Sequence, residues 1–169
     1  MSDRYQGLGL ALLVSLGVVV GGAMPGRANP VQSAIIAQAT ADEAQQALDE
    51  GTRLFAKQDK KSLRGAIDQF EKALKLSRQS QNQDLQALAL LGLARIHAGL
   101  GNPQKALELY NQALPIFRTL GNRSVEANTL NNIGGVYFVL GENQKALEFY
   151  NQAEFAWIFQ SLTRMLPAD

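Results

Sequence analysis

The sequence predicts an all-α chain, a short right-handed α-solenoid of about three helix–turn–helix pairs preceded by a signal segment. Three observations carry that prediction. A ten-residue phrase occurs twice: Gln104–Ala113 reads QKALELYNQA and Gln144–Ala153 reads QKALEFYNQA, 40 residues apart and differing only at Leu109 against Phe149. A weaker copy lies 40 residues further upstream, where AIDQFEKAL (Ala66–Leu74) keeps the register of ALELYNQAL (Ala106–Leu114). Repetition at a period of roughly 20–50 residues marks solenoids and arrays, in which each unit buries its apolar face against its neighbour. Finally, Ala, Leu, Gln and Lys dominate while strand formers are scarce beyond the N-terminus, which favours helix.

The elements follow in order. Residues 1–28 have the layout of a secretory signal: a short polar start with Arg4, the apolar run Gly7–Met24, then Gly21–Gly22 and Pro25–Gly26. Gly26-Arg27-Ala28 places small residues for a cut before Asn29, and Ala37-Gln38-Ala39 offers a second, more distant site. An uncleaved signal-anchor is the alternative, because the run is at the short edge of the roughly 17–25 residues that span a bilayer. Residues 29–40 show no helical face and read as a linker. The repeat domain is expected over 41–165, with pairs at about 41–80, 84–120 and 124–165.

In the first pair, Leu48, Gly51, Leu54 and Phe55 recur at helical spacing. The polar stretch Lys57–Lys61 breaks the helix, and Ser62 is a candidate cap for the second one. Ala66, Ile67, Phe70, Ala73, Leu74 and Leu76 form the apolar set of that helix. Ser77–Asn82 is the next turn. A third helix over about 84–100 stops at Gly101-Asn102-Pro103, where Gly101 suits a left-handed residue, Asn102 a cap and Pro103 a first helical turn. Gly121-Asn122 and Gly141-Glu142 repeat the punctuation, and a sixth helix runs to about Met165.

Composition excludes several functions. Charge is nearly balanced, 16 Lys and Arg against 15 Asp and Glu, so no global field draws in nucleic acid. Loss of residues 1–28 removes Arg4, Arg27 and Asp3 and leaves 14 basic and 14 acidic side chains. With no cysteine there is neither disulfide nor thiolate chemistry. Neither a Gly-rich phosphate loop nor a serine nucleophile elbow is present, and the acidic residues are spread along helix surfaces. No enzyme activity, cofactor or metal is expected.

The pairs resemble the tetratricopeptide repeat, a helix–turn–helix unit with the pattern W-x2-L-G-x2-Y and then A-x3-F. The third pair matches at Leu130, Ile133, Gly134 and Tyr137, then Ala146 and Tyr150. The second matches at Leu90, Leu93, Ala94 and His97, then Ala106 and Tyr110. The first matches at Ala47, Glu50, Gly51 and Leu54, then Ala66 and Phe70, with about three extra residues between its helices. A small Gly or Ala lets two helices approach while the aromatic fills the space beside them. The period of 40, a Trp position held by Leu or Ala and the missing Pro depart from the pattern. The longer period is similar to the extended subclass of kinesin light chains and to exported repeat proteins of cyanobacteria and their relatives, some of which carry a caspase-like domain.

Candidate functional residues lie on the faces of the first helices that point away from their partners. Counting 100° per residue, Asn128, Asn131, Asn132 and Gly135 share such a face, as do Leu88, Leu91 and Arg95 one pair earlier. The resemblance implies that these faces line a concave groove that takes a peptide. Asn would pair with its backbone, Arg95 with a carboxylate, and Leu88 with Leu91 would hold an apolar side chain. The competing account makes the Asn residues solvated surface or helix-to-helix hydrogen bonds. His97, the only histidine, holds the packing position of Tyr137, and Lys105–Glu108 and Lys145–Glu148 read as solvated outer-face pairs.

After Ala153 the expected ending is replaced by a helix in which Phe155, Trp157, Ile158, Phe159, Leu162, Met165 and Leu166 cover nearly the whole circumference. An apolar-all-round helix is buried somewhere: on a partner, on a second copy in a homodimer, on a membrane, or under a further repeat of a longer array. The function expected is an exported protein-interaction module, an adaptor or assembly scaffold in the bacterial periplasm or outside the cell. The alternatives are an assembly factor anchored in the inner membrane and facing outward, held by Leu8–Met24, a regulatory repeat fragment of a caspase-like peptidase or signalling protein, and a structural oligomer without a client.

Overall fold

A computed structural model of the chain describes residues 29–165. The signal segment, its preferred cut site and Leu166 lie outside these residues. Six α-helices follow one another: α1 (Pro30–Phe55), α2 (Lys60–Gln79), α3 (Gln83–Gly99), α4 (Pro103–Thr119), α5 (Arg123–Val139) and α6 (Asn143–Met165). From Ala34 onward they form one compact unit. There α2 packs on α3, α3 on α4, α4 on α5 and α5 on α6, with α3 also touching α5. This is the predicted stack of helical pairs. Among the described residues no helix is long and apolar enough to cross a membrane.

The turns recur more often than the pairs. Residues in the left-handed region fall at Gln58, Gln81, Gly101, Gly121 and Gly141, so the spacing is 23 once and then 20 three times. The last four close identically. The left-handed residue donates its N–H to the carbonyl three residues back, and the next residue reaches back five, as in Asn82 to Ser77 (2.9 Å), Asn102 to His97 (2.9 Å) and Asn122 to Phe117 (3.0 Å). Both bonds satisfy carbonyls that the helix end would leave open. The extra three residues of the first pair lie in α2, which has 20 residues against 17 in α3, α4 and α5, and not between the helices as the sequence pattern suggests.

What holds the helices close is an aromatic ring in a glycine notch. A Cβ built on Gly51 of α1 would lie 2.9 Å from the Phe70 ring, and one built on Gly92 of α3 would lie 2.7 Å from it. Phe70 is therefore gripped within its own pair and by the next one. Gly134 of α5 repeats the device: its Cβ would fall 2.7 Å from the Tyr150 ring and 3.1 Å from the Ala146 carbonyl oxygen. In the second pair buried Ala94 takes the small position against buried Tyr110. Gly92 is absent from the repeat pattern because it serves contact between pairs, which a template for one pair does not contain.

Several local expectations are corrected. Residues 29–40 are not a linker: α1 begins at Pro30. Its first turns are set by local signals, since the Asn29 side chain accepts from the Val31 amide at 3.1 Å and Pro30 has the fixed φ of a first helical residue. Val31, Ile35 and Ile36 are exposed, so no buried face announced the helix. The cap of α2 is Asp59 rather than Ser62. Its carboxylate accepts from the Lys61 and Ser62 amides and from the Ser62 hydroxyl at 2.6 Å, and these bonds, the hydroxyl's first, hold its pKa below the usual carboxylate value. Asn102 occupies the cap position without a side-chain cap bond, whereas Pro103 fills the first turn as expected. Lys105 pairs with Glu108 at 2.8 Å, but Lys145 pairs with Glu142 instead of Glu148.

Two predictions follow from turns and notches. Gln81→Gly is expected to stabilise the fold by about 1 kcal/mol, because a Cβ in the left-handed region costs roughly that much. Gly121→Ala loses a similar amount although its Cβ would meet nothing within 4 Å; urea unfolding midpoints read both. Gly134→Ala drives a methyl into Tyr150 with a carbonyl behind it. Overpacking of about 1–3 kcal/mol then outweighs the gain of about 1 kcal/mol in helix propensity. Gly99→Ala, a helical site with open space, moves the midpoint the other way.

Candidate functional site

Arg95 leaves the solvent side of α3, and its guanidinium carbon lies 5.1 Å from the centre of the Phe55 ring at the end of α1. This cation–π contact holds a long, flexible side chain in place. Asn131 and Asn132 come from α5, Tyr110 from α4 and Tyr150 from α6. With Val136, Val139 and Leu140 they line a groove of ≈ 700 Å³. Its chemistry is mixed: one cation, two amides that donate and accept, and an apolar wall between them.

Tyr110 is 1% exposed. Burial pushes its phenol up to about 12, against the opposing pull of the Arg95 charge. The hydroxyl therefore stays protonated at neutral pH and carries both a donor and acceptor lone pairs.

The structure places Arg95, Asn131, Asn132 and Gly135 on one groove lining and separates the rest. Asn128 is exposed and lies off the groove lining. Leu88 and Leu91 are half-buried against the core and do not line the groove. Hydrophobic burial decides between the two placements, at roughly 1.5–3 kcal/mol for a fully covered leucine. Sequence reasoning takes Phe55, Tyr110 and Tyr150 as packing residues and does not single out Val136, Val139 or Leu140, although all six line the groove.

His97 is half-buried, with a buried Nδ1 that has no hydrogen-bond partner among the described residues. Its counterpart Tyr137 stacks on Phe149 at 5.3 Å between ring centres, and Lys145 lies 5.3 Å from the Tyr137 ring centre. On α6, Phe155, Trp157, Ile158, Phe159, Leu162 and Met165 are all exposed. Internal comparison explains why. Phe117 of α4 is 0% exposed where Trp157, its counterpart, is 64% exposed, and α4 is packed against α5.

The tetratricopeptide repeat profile matches this chain over residues 55–119 and 85–154. Among solved structures, the chain is similar to the tetratricopeptide repeat domain of Arabidopsis FLU, with a TM-score of 0.64 and 21% identity, covering 71% of this chain and 98% of that one. That identity speaks for the fold alone. A search of the curated proteins finds no match.

Tyr110 makes a testable contribution to stability. Its phenol titrates near 10.0 without the fold and at about 12 within it, so folding favours the neutral form. The contribution is complete below the unfolded value and is lost as pH rises from there towards the folded one. Its upper size is about 2–3 kcal/mol. Urea midpoints at about pH 8 and about pH 11 are expected to differ less in Tyr110→Phe than in the parent chain.

Proposed function

The chain belongs to the tetratricopeptide repeat family, whose helical repeats are protein-interaction modules, and on that premise we propose that it is an adaptor gripping an extended segment of a partner protein. The observation that carries this reading is the convergence of Arg95, Asn131 and Asn132 on one groove walled by Phe55, Tyr110 and Tyr150. An extended segment presents backbone N–H and C=O groups in alternation, and the two amides can pair with both without reading sequence. Arg95, steadied by Phe55, adds a fork for a carboxylate, while Val136, Val139 and Leu140 receive an apolar side chain. Nothing here requires bond making or breaking, so the mechanism is positioning by binding.

The layout of residues 1–28 supports export of this module, with the repeat unit outside the inner membrane, either released or tethered by the uncut apolar run. The exposed apolar residues of α6 support a second contact surface at the far end of the stack.

Selection of extended peptides from a random display library against residues 29–169 tests the groove. Asn131→Ala with Asn132→Ala removes two side chains that each make bonds worth about 0.5–1.5 kcal/mol, so the selected peptides are expected to bind about tenfold more weakly. Asn128→Ala leaves them unchanged. Peptides that bind the double variant as tightly as the parent chain overturn the assignment.

A further inference from the structure

A second cavity, of ≈ 520 Å³, lies where the end of α4, the first half of α5 and the middle of α6 meet. It shares no lining residue with the groove. At its base Glu126, only 6% exposed along its side chain, is held by two guanidiniums: Arg118 Nε donates to Oε1 at 2.9 Å and Arg123 Nη1 to Oε2 at 2.6 Å. Both arginines are more than 40% exposed and have no other carboxylate partner among the described residues. One carboxylate thus answers two cations, and donors on both remain available to the cavity. The opposite wall is apolar, built from Leu130, Phe155, Ala156 and Phe159, and the Phe159 ring centre lies 5.7 Å from the Arg123 guanidinium.

The repeat itself does not require this arrangement. Forty residues earlier, Gln83, Gln86, Pro115 and Thr119 stand in place of Arg123, Glu126, Phe155 and Phe159, and only Arg78 matches Arg118. The pair that shares the scaffold folds without the charge cluster and without the two rings. What differs between two copies of one unit is free to serve something other than the fold.

We infer that this cavity is a second protein-binding site, taking an acidic side chain next to an aromatic or aliphatic one on a partner segment. The carboxylate meets the open edges of Arg118 and Arg123, and the neighbouring apolar group lies against Phe155 and Phe159. Asn151 and Gln152 at the rim supply amides that pair with peptide backbone, which favours a chain segment over a free acid. The inference rests on the interaction-module reading but not on the groove.

The test uses capped pentapeptides Ala-Glu-Phe-Leu-Ala and Ala-Gln-Phe-Leu-Ala, titrated into the repeat-bearing protein while the Nε–H NMR signals of Arg118 and Arg123 are followed. Saturable shifts are expected with the first peptide and about tenfold weaker binding with the second, since the charge-assisted bonds are lost. Phe159→Ala removes an exposed wall residue and weakens the first peptide. Glu126→Gln strengthens it, because both guanidiniums lose their internal competitor; far-UV circular dichroism checks that each variant folds. The Asn131→Ala, Asn132→Ala chain binds the first peptide as the parent does, which separates this site from the groove. Equal binding of the two peptides, indifference to Phe159→Ala, or loss of the shifts in the Asn variant overturns the inference. Phenylbutyrate binding as tightly as the peptide assigns the cavity to a free acid and overturns it as well.

Discussion

The stack depends on aromatic rings seated in glycine notches. Phe70 touches two different helices at distances that a methyl group on either would make too short. Close packing of this kind is felt at the level of single carbon atoms, so the notch fixes both the tilt within a pair and the approach of the next pair. Gly134 with Tyr150 fixes the tilt within the third pair, backed by the Ala146 carbonyl. Between them Ala94 and Tyr110 are both buried, a looser version with one methyl more. Alanine-rich second helices make this possible, since Ala66, Ala73, Ala106 and Ala113 are fully covered and bring no bulk to the interface.

The groove is a by-product of that packing. Rings that fill the notches from the second helices also reach the open side, which is how Tyr110 and Tyr150 come to line the groove without departing from their structural duty. The outward positions of the first helices then differ between pairs: Arg95 and Gly135 occupy equivalent places, as do Gly92 and Asn132. Gly92 is still committed to Phe70, whereas Asn132 faces a tyrosine that already has its small partner elsewhere. Function enters where the notch is satisfied by another residue.

How much of this the sequence disclosed follows from the range of each interaction. Helix number, the turns at Gly101, Gly121 and Gly141, and the small-residue positions are local or repeated at fixed spacing, and they were legible. The start of α1 was not, because a helix whose apolar residues face water has no buried stripe. Asp59 was passed over for Ser62, although the two act together, with the hydroxyl bonded to the carboxylate. For the groove, angular counting found the right face but could not tell which half of it is covered, so Leu88 and Leu91 were placed with Arg95. The clamp on Glu126 joins Arg118 to a residue on the next helix, and spacing rules within one helix do not contain it.

Repetition supplies a control that a single-copy fold lacks. A residue shared by corresponding helices is explained by the scaffold, as Ala113 and Ala153 are. A residue that changes while its surroundings stay constant needs another explanation. Trp157 against Phe117 is such a change with a packing answer, since among the described residues only α4, which carries Phe117, has a following helix packed on it. Glu126 against Gln86 has no packing answer of that kind. A buried carboxylate loses its hydration on folding and demands compensation that an amide in the same place does not. Two arginines answer that demand with charge to spare, and the spare charge sits beside two exposed rings that the earlier pair never acquired.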